Sequence, residues 1–190
     1  MADVQAITDL LFSPSLSING LITADTVTFV LDRLQQVRSE NSPLRVELNT
    51  QGGDADAARR IALELQLFQH HAGRPSACVG KTNVYSAGIL ILAAFPKEAR
   101  YLTRDTILLV HQRRLETTLQ LNGPISSCLQ IVQEQLELLK TAEKLEQEGF
   151  AQFAEGSSLS VEELTRRAKT NCYLTAAEAL EFGLIAEILQ

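Results

Sequence analysis

The sequence predicts an α/β fold. Strand-like and helix-like segments alternate almost from end to end, their junctions carry glycines or acidic helix starts, and no linker or internal repeat interrupts them. In chain order, Ser15-Leu16-Ser17-Ile18-Asn19-Gly20 alternates as a half-buried strand ending in a turn residue. Val27, Val30, Leu31, Leu34 and Val37 then recur at helical spacing from an acidic start at Asp25. Leu44–Leu48 alternates again, and Gly52-Gly53 is expected to break it. Asp54 and Asp56 open a helix with Ile61, Leu65 and Phe68 on its apolar face, since acidic groups suit the positive end of the helix dipole. Ala77-Cys78-Val79 reads as a short buried strand, and Ala87 to Phe95 as a buried helix stopped by Pro96. Ile107–Val110 is a strand with His111 at its end. Ile125, Leu129, Val132, Leu136, Leu139 and Ala142 mark a long helix from about Pro124 to Gly149. Ser160 with Glu163 and Thr175 with Glu178 predict capping boxes, and Gly183 suits a helix C-terminus.

With 190 residues, the chain is expected to form one domain, 1–190, with a sizeable core. Its 17 Lys+Arg against 23 Asp+Glu give a formal charge of −6, and it has no basic block, which argues against a nucleic-acid surface. The longest apolar run is too short for a membrane helix, and the start lacks a basic secretory leader. Cys78, Cys128 and Cys172 are widely spaced, form no CxxC pair and, with three histidines, offer no zinc cluster. Reduced thiols and a cytoplasmic location are the expectation, with neither membrane, nucleic acid, metal nor other cofactor.

Three places put reactive groups at element ends. The diglycine Gly52-Gly53, before a helix N-terminus, can present amides to an oxyanion; by itself it is also an ordinary tight turn. Ser86, ahead of Ala87 and Gly88, is either a plain helix N-cap or a nucleophile beside an oxyanion amide. His111, closing an apolar strand, is a packed histidine or a base. Taken in order, the three supply oxyanion donors, nucleophile and base. His70 and His71 fit a helix C-terminus better than a site.

Those residues resemble the ClpP family, the proteolytic subunits of the Clp protease, within the wider ClpP/crotonase fold. The likeness runs from about Leu16 to Leu189 through Asn49-Thr50-Gln51-Gly52-Gly53, Val79-Gly80 with Ser86-Ala87-Gly88, and Leu109-Val110-His111-Gln112. Tyr173 to Ala179 and Phe182-Gly183-Leu184-Ile185 continue it. The resemblance implies repeated β-β-α units in a single domain with a long handle helix that packs subunits together. It implies Ser86 as nucleophile, His111 as base, and Gly52, Gly53 and Ala87 around the oxyanion and substrate. The third triad position falls on Asn171, where the family usually has Asp. Asn orients an imidazole, as in Cys-His-Asn proteases, but Asp-to-Asn in a serine triad costs on the order of 10⁴ in rate.

Implied too are peptide or unfolded-protein substrates, a homo-oligomer (a heptameric ring or double ring) and a AAA+ unfoldase partner. The short segment before Leu16 offers that partner little to dock on. Two residues between Gly80 and Ser86 exceed the family spacing, which predicts a differently shaped serine loop. Arg113-Arg114 stands in place of a Pro- and Gly-rich run in a strand lining the peptide groove. The expected function is a serine endopeptidase. The alternative is a catalytically weak or inactive structural or regulatory ring subunit, which Asn171 and Arg113-Arg114 favour. A crotonase-type hydratase shares the fold but works with acidic residues and has no use for a Ser/His pair.

Overall fold

The structure is a computed structural model and describes residues 4–190. Its centre is a seven-stranded sheet of β1 (Leu16–Ile22), β2 (Leu44–Gly53), β3 (Ser76–Tyr85), β4 (Arg100–Thr103), β5 (Ile107–Val110), β6 (Cys172–Thr175) and β7 (Glu187–Leu189). The main path runs β1-β2-β3-β4-β7 in parallel, while β5 pairs with β3 and with an antiparallel β6. Parallel pairing needs crossovers, and four helices supply most of them: α2 (Ala24–Ser39), α3 (Ala55–Ala72), α4 (Gly88–Ala93) and α5 (Ile125–Ala154). The last two helices are α6 (Val161–Ala168) and α7 (Ala176–Glu181).

Strand periodicity sorts the two faces. On β3, Cys78 joins the main core with Val46, Ile61 and Leu65, whereas its neighbour Val79 points the other way. That second face is covered by α1 (Val4–Phe12), whose Leu10 and Leu11 pack on Val79 and Leu189. The short helix α1 and strands β4 and β7 do not stand out in the sequence: each is a few residues whose burial depends on partners distant in the chain.

Several strands run further than the sequence patterns indicate. Gly20 (φ 85) lies inside β1 at an irregularity between Asn19 and Leu21 instead of ending it. β2 continues through Gly53. The two surplus residues before Ser86 form a bulge within β3, since β2 advances two residues from Leu48 to Thr50 while β3 advances four from Gly80 to Val84. Thr82 takes φ 56 there, and its hydroxyl donates to Asp105 Oδ2 at 3.0 Å. Below the bulge β3 pairs with β4; above it, Asn83, Val84 and Tyr85 pair with Ile107, Leu108 and Leu109 of β5. The predicted helix over 87–95 shortens to Gly88–Ala93, because Phe95 leaves the helix at the turn into Pro96. Conversely α5 continues beyond Gly149 to Ala154.

Helix ends follow local chemistry. Asp54 caps α3 by accepting the amides of Asp56 and Ala57, and Thr175 with Glu178 forms a full capping box. At Ser160 only half the expected box exists. The serine accepts the Glu163 amide, but the Glu163 carboxylate turns to Arg166 and Arg167 at 2.7 Å. The amides of Gly183 and Leu184 close α7 on Leu180 O and Ala179 O, a Schellman ending with Gly183 at φ 71.

Arg100 is the most constrained charge in the core. The residue is 3% exposed, and its guanidinium donates to Phe95 O at 2.7 Å and Phe153 O at 3.0 Å, with longer bonds to Ala93 O, Gln152 O and Leu184 O. These carbonyls lie at the ends of α4 and α5 and just past α7, where helix geometry leaves acceptors unpaired and a cation is favoured. Arg100→Met is expected to leave several of them buried without donors. That costs about 3 kcal/mol or more, read as a fall in melting temperature of roughly 6–12 °C.

Hydrogen bonds from Arg166 and then Arg167 hold the Glu163 carboxyl down at about 2, below its ordinary 4.5. A depressed folded-state value means that this stabilisation is full above pH 4.5 and fades as pH falls toward 2. Urea melts of wild type and Glu163→Gln are therefore expected to differ at pH 6 and to converge by pH 2.

Candidate active site

Of the sequence-predicted residues, Gly52, Gly53, Ser86 and Ala87 gather at the upper ends of β2 and β3, His111 follows β5, and Asn171 precedes β6. Strand β3 ends at Tyr85, α4 begins at Gly88, and Ser86 forms the corner between them at φ 56, a left-handed conformation rare for a side-chain-bearing residue. Its amide donates to Leu109 O at 2.7 Å, which ties the corner to β5. Ser86 is not the helix N-cap: that position is Ala87, and no side chain caps α4. The Ser86 hydroxyl is thus left out of helix capping.

The diglycine is shaped by its neighbours. Buried Thr50 donates its hydroxyl to Gly20 O at 2.6 Å and accepts the Gly52 amide at 3.0 Å. Gly52 sits so close to the serine corner that a Cβ there would lie 2.7 Å from Ser86 Cβ and 2.9 Å from Tyr85 O. Its part is therefore steric, since its amide is already engaged. Gly53 differs. In the register that pairs it with Ile22, the Ile22 carbonyl takes the Asp54 amide, so the ladder does not consume the Gly53 N–H. Ala87 likewise stands where first-turn amides have no intrahelical acceptor.

Ser86, Ala87, Gly53 and His111 line one cavity of about 480 Å³. Its apolar wall includes Ile89, Leu90, Val110 and Phe150, and Arg59, Arg113, Arg114, Asp54 and Glu146 bring charge to it. His111 follows β5, and its Nδ1 lies 2.6 Å from Gln112 O. A carbonyl oxygen only accepts, so Nδ1 carries the proton and Nε2 is the basic nitrogen. Among the described residues no hydrogen bond joins His111 to Ser86 or to Asn171. Asn171 (φ 65) is exposed and precedes β6, one step beyond the Val110–Cys172 pair, hence across from His111. It does not line the cavity.

Past His111 the chain from 112 to 123 has no regular secondary structure, in place of the strand that the resemblance implies. It is fastened by Arg113, whose amide donates to Glu146 Oε2 and whose guanidinium pairs with Asp56 Oδ1 at 3.1 Å. Glu146, on α5, is 8% exposed. Motif reading missed it, although a signal existed: continued in steps of three or four, the apolar stripe of α5 passes from Ala142 to position 146 and on to Phe150. Among the described residues no group of His, Cys, Asp and Glu has the makings of a metal site, and no helix is long and apolar enough to cross a membrane.

Fold and sequence agree on a ClpP-like α/β protein. The sequence model of the Clp protease family matches residues 3–190, and the chain belongs to that family. It is 29% identical over 162 residues to ATP-dependent Clp protease proteolytic subunit 2 of Treponema pallidum, covering 85% of this chain and 72% of that protein. It is 26% identical over 158 residues to the proteolytic subunit of Paracoccus denitrificans, covering 83% and 71%. Among solved structures, an Asn-to-Asp mutant of ClpP1 from Listeria monocytogenes superposes with a TM-score of 0.72 at 22% identity, covering 98% of this chain and 95% of that one.

The tight seating of Gly52 makes it a sensitive probe of the corner. Gly52→Ala is expected to lower stability by about 1–3 kcal/mol, through strain at φ 93 and displacement of Ser86. Thermal melts check the first effect, and reaction of Ser86 with a serine-directed probe checks the second.

Proposed function

We propose that the chain is a serine endopeptidase acting on peptides or unfolded proteins, with Ser86 as nucleophile and His111 as base. One observation carries the reading: a serine strained into a left-handed corner, free of capping duty, shares a cavity with a histidine whose Nε2 is the basic nitrogen. As Ser86 Oγ attacks the peptide carbonyl carbon, Nε2 takes the hydroxyl proton, and the amides of Gly53 and Ala87 receive the developing oxyanion. His111 then passes the proton to the departing amine. Water, deprotonated by the same nitrogen, cleaves the acyl-enzyme and restores Ser86. Asn171 keeps the third position on register and resemblance alone. No cofactor enters these steps.

Family membership supports a homo-oligomeric ring, heptameric or doubled, partnered by a AAA+ unfoldase in the cytoplasm. The uncovered apolar stripe on the outer half of α5, Ile125 at 77% and Leu129 at 65% exposed, fits the packing between subunits. A second reading, a weak or inactive ring subunit with a structural or regulatory role, is favoured by the missing Ser86–His111 bond and by an exposed Asn171 where the family has Asp.

Incubation with a fluorophosphonate probe, read by intact mass, separates the two. One adduct on the wild type, absent from Ser86→Ala, is the expected outcome. No adduct in any oligomeric state, where a reference serine peptidase reacts fully, assigns the chain to the non-catalytic class.

A further inference from the structure

We propose that Glu146 is a positioning residue for His111, acting through the peptide unit between Gln112 and Arg113; the inference rests on His111 being the base of the reading above. The Gln112 carbonyl and the Arg113 amide are two ends of one peptide group. His111 Nδ1–H donates to the carbonyl end at 2.6 Å, and the amide end donates to Glu146 Oε2. Carboxylate, peptide and imidazole thus form a continuous chain of hydrogen bonds.

Such a chain does what the third member of a serine triad does. It fixes the tautomer with the proton on Nδ1, leaves Nε2 as the basic nitrogen, and ends in a carboxylate two hydrogen bonds from the imidazole. A carboxylate accepting the peptide N–H polarises the carbonyl at the other end and so strengthens its hold on Nδ1–H. Asn171 has no carboxylate to offer and lies outside the cavity lining. Glu146 has one, nearly buried, on the wall that also holds Ser86 and His111. Burying a carboxylate is unfavourable unless its partners compensate, and its partner here is this peptide. Arg113 aligns the peptide from its other side through the ion pair with Asp56, whose carboxyl burial raises and this pairing lowers, the net direction being down.

The test uses the full chain and two readouts. The first is the rate of fluorophosphonate labelling of Ser86 between pH 5 and 9. Glu146→Gln keeps the size and an oxygen acceptor but removes the charge, and leaves Asp54, Arg59, Arg113 and Arg114 around the cavity in place. Labelling is expected to slow by about 10–100-fold, the range for loss of an outer partner that orients a functional histidine. The loss should exceed that in Asn171→Ala. The second readout is the imidazole ¹⁵N and Nδ1–H proton spectrum, with His111 assigned by its absence in His111→Gln. The wild type is expected to show the Nδ1–H tautomer with a downfield proton that moves upfield in Glu146→Gln.

Arg113→Pro, which removes the N–H, should reproduce the spectral change, and Arg113→Lys, which keeps it, should not; these variants decide the matter if Glu146→Gln does not fold. An unchanged rate, pH profile and tautomer in Glu146→Gln would overturn the inference while leaving the peptidase reading intact. A wild type that never labels would remove the peptidase reading, and the spectra would still judge the hydrogen-bond chain.

Discussion

The guanidinium of Arg100 organises the part of the molecule that carries the candidate site. It takes carbonyls from the ends of α4 and α5 and from Leu184, and its own backbone oxygen receives the Ala186 amide. The opposite end of α4 is the Ser86 corner, and α5 brings Glu146 and Phe150 to the cavity. One buried cation therefore fixes the angle between the helix that presents the serine and the helix that closes the pocket. Few alternatives offer the same strength, because a side chain without several forked donors could not satisfy acceptors from three segments at once.

Around that anchor the site is built by backbone constraint. The Thr50 hydroxyl shapes the diglycine, Gly52 leaves just enough space for the serine corner, and Leu109 O holds the Ser86 amide. None of these residues needs to move a proton, yet each limits where Ser86 Oγ can be. The left-handed corner is tolerated because β2, β3 and β5 all hold it from different sides, the usual condition for strain to persist in a folded protein.

Much of this was legible in the sequence. Alternating runs such as Leu44–Leu48 and the apolar steps of α2, α3 and α5 reported their burial directly, since each element hides one face. Local capping chemistry was readable at Thr175 but only half correct at Ser160, where two arginines compete for Glu163. Short β4 and β7 stayed hidden because they lack the unbroken apolar run that marked four-residue β5 and are specified by the distant neighbours they pair with. Ser86, His111, Gly53 and Ala87 could be named from their positions at element ends. The Gln112–Arg113 peptide could not, because a backbone group carries no residue signature; Glu146, 33 positions from Arg113, left only its place on the apolar stripe of α5 as a signal.

The bulge in β3 has a mechanical side. Above it the strand is bonded to β5 and through it to β6; below, to β4 and through it to β7. The sheet in effect divides at Lys81-Thr82-Asn83 into two leaves, the smaller one carrying His111 and Asn171. The small leaf is nonetheless locked to the rest: Leu108, Val110 and Leu174 are buried in the main core, Leu109 O takes the Ser86 amide, and the Thr106 hydroxyl donates to Gly80 O. Displacing the leaf with the histidine would therefore cost core contacts and the hold on the serine corner together.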